Sequence, residues 1–303
     1  MVQASPVIIL CGPTAVGKTA AAIEIAQKIE AEIISADSGQ VYRGMDIGTA
    51  KPTLVERQGI SFHLIDILDP DQQFSAADFR TNALRAIQEI QMRGKKAMIV
   101  GGTGLYLRAL EEGLFEGPSR DPKIREELEK RVEWEGIEAL HRELEKVDPE
   151  AAKTIPPKNR QRLIRALEVY RLTGKPISEF WDEHRRRGAM NRAPTFLKFG
   201  LNLPKDELHR RIDERADRMI QSGLVEEVRF LVKQWGTSAP GLKIIGYKEV
   251  VAHLEGKIPL REAVDLIKRN TRQYAKRQRT WFRKDEEIRW FSGSNELIQD
   301  LTK

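Results

Sequence analysis

The stretch VIILCGPTAVGKT, from Val7 to Thr19, decides the fold class of this chain. Its first four residues are apolar and predict a buried strand, and an apolar helical pattern follows Thr19. Between them, the residues from Gly12 to Thr19 fit G-x-x-x-x-G-K-[ST] at every fixed position. A strand, this loop and a helix together indicate a phosphate-binding loop, in which backbone N–H groups and the helix N-terminus face an anion.

The motif predicts roles for two of the side chains in this loop. Lys18 is expected to reach the terminal phosphate oxygens, and the Thr19 hydroxyl is expected to hold Mg²⁺. The predicted diphosphate- or nucleotide-binding residues are Gly12, Pro13, Thr14, Ala15, Val16, Gly17, Lys18 and Thr19. The motif leaves the owner of the phosphates open, because the same loop binds the tail of ATP and a diphosphate leaving group.

Two aspartates lie in further strand candidates. Glu32 to Asp37 reads as a second strand, and an open parallel sheet would place Asp37 at the same edge as the phosphate loop. Asp37 could be a functional carboxylate or a turn-forming cap. The third strand candidate, residues 62–68, contains Asp66, which is expected to ligate Mg²⁺ through water, and His63, which is expected to be structural.

A polar segment and a second glycine-rich turn are also expected to contribute to the site. Ser38 to Pro52 carries three glycines and little periodicity, which predicts a binding loop. Ser75 to Met92 is patterned as an amphipathic helix, and Ala97 to Val100 as a fourth strand. The strand runs into a Gly-Gly-Thr-Gly turn, where Thr103 is expected to point its hydroxyl toward the site, to cap the next helix, or both.

The composition and periodicity of the chain change near Gly117. Residues 123–192 are nearly all charged helix with sparse apolar positions, which is typical of a helical insertion. The predicted helices are Lys123–Glu135, Ile137–Lys146, Asn159–Leu172 and Ile177–Arg187. The sequence therefore predicts an α/β fold, a P-loop kinase-like parallel sheet flanked by helices, with an all-helical insertion. The core is expected to comprise residues 1–117 and 196–303, and the insertion residues 118–195.

Charge is spread unevenly along the chain. Residues 1–117 carry 11 Lys/Arg and 14 Asp/Glu, a net of −3, whereas residues 118–303 carry 40 and 31, a net of +9. The segment Lys268 to Lys284 has eight basic residues, no acidic one, and Tyr274, Trp281 and Phe282 interleaved. Cations and aromatic rings in this pattern favour contact with phosphates and stacking on bases. The competing interpretation is that the basic helices are simply solvated.

Two pairs of arginines stand out on predicted helices. Arg211 and Arg215 are four residues apart and share a face, so they could cover a transferring phosphate or could equally form salt bridges. In the insertion, Arg162 and Arg165 are expected to project on the polar side, while Leu163 and Ile164 face the body.

The amino-acid composition excludes several other classes of protein. A single cysteine, Cys11, excludes an internal disulfide framework and a multi-cysteine zinc site, and a buried inert thiol is expected. No signal peptide or apolar run long enough to span a bilayer is present, so a cytoplasmic protein with no membrane contact is expected.

The set of motifs resembles one family over nearly the whole chain. GPTAVGKT, DSGQVYRGMDIGTAKP, HLIDILDP, GGTGLY, NRQRLIRALE, IGYKE and AKRQRTWFRK, between residues 12 and 284, are similar to the bacterial tRNA dimethylallyltransferases. The second of these is far more specific than the phosphate loop. The resemblance implies Mg²⁺-dependent transfer of a dimethylallyl group from dimethylallyl diphosphate to N6 of the adenosine just 3′ of the anticodon.

The resemblance also implies roles for particular residues. Asp37 matches the family's general base, and Thr103 a residue that positions the leaving group and acceptor. Lys18 would stabilise the leaving group, and Arg211 and Arg215 match a second phosphate clamp. The residues expected to contact the anticodon stem-loop of tRNA are Asp37, Ser38, Gly39, Gln40, Gln161, Arg162, Leu163, Ile164, Arg165, Lys276, Arg277 and Arg279. A monomer is expected.

Two other functions fit parts of the sequence. A small-molecule kinase would use the phosphate loop for ATP but would need an adenine site and a compact lid. A non-catalytic RNA-binding ATPase would use Asp37 to hold Mg²⁺. Whether ATP also binds is left open by the sequence, and the lack of an N-K-x-D motif argues against a GTPase.

Overall fold

A computed structural model describes residues 5–113, 117–188 and 195–301 of the chain. Its packing divides the chain into two compact units, one of residues 1–111 with 194–303 and one of residues 112–193. No helix among the described residues is long and apolar enough to cross a membrane.

The first unit contains a parallel sheet. Its strands are β1 (Val7–Cys11), β2 (Ala31–Ala36), β3 (Phe62–His63), β4 (Lys96–Gly101), β5 (Phe196–Leu201) and β6 (Arg289–Phe291). Their order across the sheet is β3-β2-β4-β1-β5-β6, and every pairing is parallel. This arrangement confirms the predicted α/β class. It brings the carboxyl ends of β1, β2 and β4 to one edge.

The thirteen α-helices among the described residues fall into both units. They are α1 (Lys18–Ile29), α2 (Ala76–Met92), α3 (Gly104–Glu112), α4 (Pro122–Glu135), α5 (Ile137–Val147), α6 (Pro149–Thr154), α7 (Arg160–Thr173), α8 (Ile177–Gly188), α9 (Lys205–Gln221), α10 (Leu224–Trp235), α11 (Tyr247–Leu254), α12 (Leu260–Phe282) and α13 (Ser294–Leu301).

The central strand β1 is buried on both faces of the sheet. Ile8 and Leu10 pack in a cluster with α1 and α13, whereas Val7, Ile9 and Cys11 pack on the opposite face with α2 and α3. Successive side chains of a strand point to opposite faces, so a continuous apolar run is what a sheet covered on both sides requires. Cys11 is 1% exposed, and burial raises the pKa of its thiol to about 12, which fits the inert role expected of it.

The third strand is shorter than predicted. Only Phe62 and His63 pair with β2, and the expected strand over residues 62–68 is therefore wrong beyond His63. Leu64 and Asp66 have φ values of 60° and 56°, a left-handed conformation that ends extended pairing. Nε2 of His63 donates a hydrogen bond to buried Glu32 at 2.7 Å, in keeping with a structural role.

The second unit is a small helical body with its own core. Leu128, Leu140 and Leu144 are fully buried there, together with Leu163 and Ile164 of α7. The four helices predicted for the insertion are present to within a few residues, and α6 was not predicted. The carboxylate of Glu168 is also buried in this unit, where it accepts from the Asp121 N–H and from two arginines.

Candidate active site at the carboxyl edge of the sheet

The phosphate loop leaves β1 at Gly12 and enters α1 at Lys18. Gly12 has a φ of 141°, and a Cβ there would lie 2.4 Å from the carbonyl oxygen of Leu201 on the neighbouring strand. No larger residue can pass so close to β5 without displacing it. Gly17 has a φ of 100° and directs the chain into α1, so the motif's two glycines are required by the path of the backbone.

Lys18 lies over the loop that precedes it. Its Nζ donates to the carbonyl oxygens of Gly12 at 3.0 Å and Pro13 at 2.7 Å, which leaves a third N–H for another acceptor. Burial lowers the pKa of Lys18 to about 8, and the nearby charge of Asp37 opposes that shift. The site therefore holds a poorly solvated cation close to a carboxylate.

Asp37 follows β2 and does two things at once. Its Oδ1 accepts from the backbone N–H groups of Gly39 at 2.8 Å and Gln40 at 3.4 Å, which is the turn-forming role. Its Oδ2 has no hydrogen-bond partner among the described residues. The functional and the turn-forming interpretations are thus compatible, because each uses a different oxygen.

The arginines of α9 reach the same loop. Arg215 donates to the Thr14 hydroxyl at 3.2 Å and to the Thr49 carbonyl oxygen at 3.3 Å. Nη1 of Arg211 lies 3.9 Å from the position that a Cβ on Gly17 would take, and its Nη2 donates to Glu207 at 2.7 Å. Arg211 therefore forms the salt bridge that the sequence left open and still lies beside the phosphate loop.

The Gly-Gly-Thr-Gly turn lies against the end of β2. The Thr103 N–H donates to the carbonyl oxygen of Ala36 at 3.3 Å, one residue before Asp37. Tyr274 of α12 lies close to the Thr103 side chain. A Cβ on Gly104 would lie 2.4 Å from the Trp281 ring, so this turn and α12 pack closely together.

The burial of aromatic rings on α12 bears on the expectation that these rings stack on RNA bases. Phe282 is 3% exposed and packs in the core beneath the sheet, with Trp281 against the same cluster. The Phe282 ring is therefore not available for stacking on bases, because it attaches α12 to the sheet. Trp281 and Tyr274 are half-buried, and stacking by them stays a prediction. Lys276 and Arg277 are exposed and Arg279 is half-buried, so the cations remain candidates for phosphate contact.

The segment that follows Asp37 is a compact loop, buried in part. Lys51 is 8% exposed, and its Nζ donates to the Tyr42 carbonyl oxygen, Asp46 and Asp66 at 2.8, 2.6 and 2.5 Å. Asp66 is thereby engaged in an ion pair that supports a structural role. Its part in holding Mg²⁺ remains a prediction.

A carboxylate holds the middle of this loop. Glu227 of α10 accepts from the N–H groups of Asp46, Ile47 and Gly48 at 3.0, 2.8 and 3.3 Å, and from the Tyr247 hydroxyl at 2.6 Å. Val41, Tyr42 and Met45 pack in the core beside α10 and α11. Lys51 and Glu227 were not singled out from the sequence. The loop partners of Glu227 lie about 180 positions away, whereas those of Lys51 are close in the chain but meet it only through the folding of the loop.

The predicted RNA-contacting residues of the insertion behave differently from one another. Leu163 and Ile164 are fully buried, as the helical pattern predicts, so their side chains serve packing and not contact with RNA. Gln161 and Arg162 are exposed. Arg165 corrects the expectation that it projects to solvent, because it donates to buried Glu168 at 2.7 Å and to the Pro118 carbonyl oxygen at 2.7 Å.

Sequence analysis also missed Gln278. It is 5% exposed, and it contacts both the phosphate loop and the Gly-Gly-Thr-Gly turn. Ala275, Gln278 and Phe282 are the buried residues of this part of α12. An amide on the buried stripe of a helix must find hydrogen-bond partners, and that spacing was the available signal.

Comparison with known proteins gives a consistent result. The family model described as IPP transferase matches residues 40–285. A tRNA dimethylallyltransferase of Geobacter metallireducens is 52% identical over 284 residues, covering 93% of this chain and 91% of that protein. One from Carboxydothermus hydrogenoformans is 48% identical over 297 residues, covering 98% and 94%.

Solved structures agree with the sequence comparison. The tRNA isopentenylpyrophosphate transferase of Bacillus halodurans superposes with a TM-score of 0.72 at 42% identity, covering 98% of this chain and 94% of that one. A eukaryotic dimethylallyltransferase acting on tRNA gives a TM-score of 0.76 at 29% identity, covering 97% and 75%.

Proposed function

The chain belongs to the tRNA dimethylallyltransferase family, and from that premise we propose that it transfers a dimethylallyl group from dimethylallyl diphosphate to a tRNA. The proposed acceptor is N6 of the adenosine immediately 3′ of the anticodon, and the products are the prenylated tRNA and diphosphate. The observation that carries the proposal is that the phosphate loop, two arginines and a carboxylate with a free oxygen meet at one edge of the sheet.

The donor side of the reaction needs stabilisation of negative charge. As the C1–O bond breaks, its electron pair passes to the diphosphate oxygen. We propose that the loop N–H groups, Lys18, Arg211 and Arg215 hold that diphosphate. Preorganised donors of this kind cost no reorganisation when charge develops. The third N–H of Lys18 and the position of Arg211 beside Gly17 support this assignment.

The acceptor side needs a base and a means of orientation. The N6 amine attacks C1, forming the N–C bond, and loses one proton. We propose that Oδ2 of Asp37 takes that proton, since Oδ1 is already engaged in the turn. Thr103, fixed by its backbone bond to Ala36 and its contact with Tyr274, would orient the acceptor relative to the leaving group.

The residues present fit a Mg²⁺ ion whose ligands come mainly from the diphosphate and only in small part from the protein. Mg²⁺ in phosphate sites takes few protein ligands and keeps water and substrate oxygens as the rest. No cluster of three or more His, Cys, Asp or Glu side chains among the described residues could hold a metal alone. Thr19, at the start of α1, and Asp66 are the proposed ligands, and the ion when bound would offset diphosphate charge.

The proposed tRNA surface is described for each unit separately. In the first unit it includes the exposed Lys276 and Arg277, the half-buried Arg279, and the loop residues Ser38, Gly39 and Gln40 after Asp37, of which Ser38 and Gln40 are half-buried and Gly39 is buried. In the second unit it includes Gln161 and Arg162. Neutralisation of RNA phosphates by these cations would offset the cost of unstacking the acceptor adenine, a few kcal/mol.

One assay tests the proposed function directly. The protein is incubated with ¹⁴C-labelled dimethylallyl diphosphate, Mg²⁺ and unmodified tRNA, and label in RNA and released diphosphate are both measured. We expect one diphosphate per labelled RNA, and no label in a matched tRNA with guanosine in place of the acceptor adenosine. Phosphate transfer from γ-labelled ATP to a small molecule, without labelled RNA, would favour the kinase alternative and contradict the proposal.

A further inference from the structure

The side chain of Gln278 joins the two loops that form the site. Its Oε1 accepts from the backbone N–H of Thr14 at 2.8 Å, and its Nε2 donates to the carbonyl oxygen of Gly102 at 2.9 Å. Thr14 lies inside the phosphate loop, and Gly102 immediately precedes Thr103. One carboxamide thus connects the donor side of the site with its acceptor side.

The surroundings of Gln278 leave little room for movement. A Cβ on Gly102 would lie 2.2 Å from Nε2 of Gln278 and 3.3 Å from the Gly12 carbonyl oxygen. The turn, the amide and the phosphate loop are therefore stacked in direct contact. A change in the hydrogen bonds of Gln278 must alter the separation of the two loops.

Tyr274, one helical turn before Gln278, extends the connection. Its phenol lies close to the side chains of Thr103 and Gln278 and to the charge of Asp37. Burial and that charge raise the pKa of Tyr274 to about 12, so the phenol is neutral at physiological pH. The observed hydrogen bonds run from Thr14 through Gln278 to Gly102, and Tyr274 lies beside Gln278 and Thr103.

We propose that Gln278 is a positioning residue that sets the distance between the diphosphate cradle and the acceptor groups Asp37 and Thr103. The proposal rests on the proposed prenyl transfer. An amide suits this task because it accepts on one side and donates on the other, which neither a carboxylate nor an apolar side chain does. Misplacement by about 1 Å can cost about 100-fold in rate, since reacting atoms must be close and aligned.

This role predicts an effect on the chemical step and not on substrate affinity. The groups that bind diphosphate belong to the phosphate loop, Lys18 and α9, and they remain when Gln278 is changed. The change would disturb only the alignment of the diphosphate cradle with the acceptor groups Asp37 and Thr103, each of which stays intact. A purely structural residue would instead lower the folded fraction and leave the rate per folded molecule unchanged.

The test compares Gln278→Glu with Gln273→Glu. Both lie on α12 and undergo the same change of charge, but Gln273 is exposed. Single-turnover prenyl transfer is measured with both substrates saturating, together with the Kd of dimethylallyl diphosphate and the melting temperature. For Gln278→Glu we expect a rate lower by about 10- to 100-fold with a Kd within about threefold of wild type. Gln273→Glu should match wild type in all three.

A second variant, Gln278→Leu, removes both hydrogen bonds without adding charge, and it should show the same loss of rate. Rates equal to wild type in both variants would overturn the proposal. So would a loss that disappears when rates are divided by the folded fraction, or a loss of folding in both. If wild type and Gln273→Glu transfer no prenyl group, the failure is that of the proposed function itself.

Discussion

The guanidinium of Arg215 lies 3.2 Å from the hydroxyl of Thr14, a residue 201 positions earlier in the chain. The same side chain donates to the Thr49 carbonyl oxygen, so it joins the phosphate loop to the loop that follows Asp37. Burial lowers the pKa of Arg215 from its usual high value, and the charge of Asp37 opposes this. A cation removed from water in this way interacts strongly with any anion that enters the site.

Lys18→Ala removes the cation at the start of α1 that is proposed to stabilise the leaving diphosphate. We expect turnover to fall by roughly 100-fold or more, as for other single electrostatic stabilisers, with little change in tRNA affinity. Lys28→Ala, at an exposed position of the same helix, serves as the control and should retain wild-type turnover. Steady-state prenyl transfer and RNA binding are measured. Intact turnover with collapsed tRNA affinity would contradict the role given to the loop.

Asp37→Asn separates the two roles of Asp37. The amide oxygen can still accept from Gly39 and Gln40, so the turn should persist while the basic oxygen is lost. We expect prenyl transfer to drop by roughly 100- to 10,000-fold. Binding of dimethylallyl diphosphate across a Mg²⁺ titration should stay near wild type. A large loss of Mg²⁺-dependent binding would instead assign Asp37 to the metal.

Arg162→Ala and Arg165→Ala should behave differently although they lie three residues apart on α7. Arg162 is exposed, so its loss should raise the tRNA KM. It should also reduce, by about 1, the magnitude of the slope of log binding constant against log salt concentration. Arg165 pairs with Glu168, which is fully buried, so its loss should lower the free energy of unfolding by about 1–3 kcal/mol. Salt titrations and urea unfolding give both readouts. An unchanged salt slope for Arg162→Ala would mean that this arginine is merely solvated.

Glu227→Gln tests how the loop after Asp37 is held. The carboxylate accepts four hydrogen bonds, and an amide would turn an NH₂ group toward one or more of those donors. We expect a loss of about 1–3 kcal/mol in unfolding free energy and faster amide hydrogen exchange at residues 46–48. Glu226→Gln, at the exposed neighbouring position, is the control. Equal exchange in the two variants would rule out Glu227 as the anchor.

Glu32→Gln should reveal a pH-dependent contribution to stability. Burial alone would raise the pKa of Glu32, but hydrogen bonds from Arg93, His63 and Lys95 lower it from 4.5 to about 2. A carboxyl group with a lowered pKa in the folded state contributes stability above its unfolded pKa. That contribution is lost as the pH falls from about 4.5 toward 2.

The measurement is urea unfolding of wild type and Glu32→Gln at pH 7 and pH 3.5. The variant should be less stable by about 1–3 kcal/mol at pH 7, and the difference should shrink at pH 3.5. Glu24→Gln, which removes one member of an exposed pair with Lys28, should change stability by less than about 1 kcal/mol. A difference that is the same at both pH values would contradict the ion-pair explanation.

Features encoded in contiguous residues could be predicted before the fold was known. The phosphate loop, the parallel strands β1, β2 and β4, and the amphipathic helix α2 each depend on local pattern, because backbone conformation and periodic burial act over a few residues. The same locality explains the failure at residues 64–68, where apolar side chains suggested a strand and left-handed backbone conformations ended it. The family membership also followed from contiguous motifs.

The pairing of groups far apart in the chain is seen only in the folded molecule. Gln278 bonds to Thr14 across 264 positions, Glu227 to Ile47 across 180, and Arg215 to Thr49 across 166. Periodicity shows that a side chain faces inward, but it does not show which backbone N–H or C=O lies opposite. It likewise could not show that the Asp121 N–H and Arg125 meet the buried carboxylate of Glu168, 47 and 43 positions away. Those choices depend on the register of elements packed from far apart in the chain, and that register is a property of the folded core as a whole.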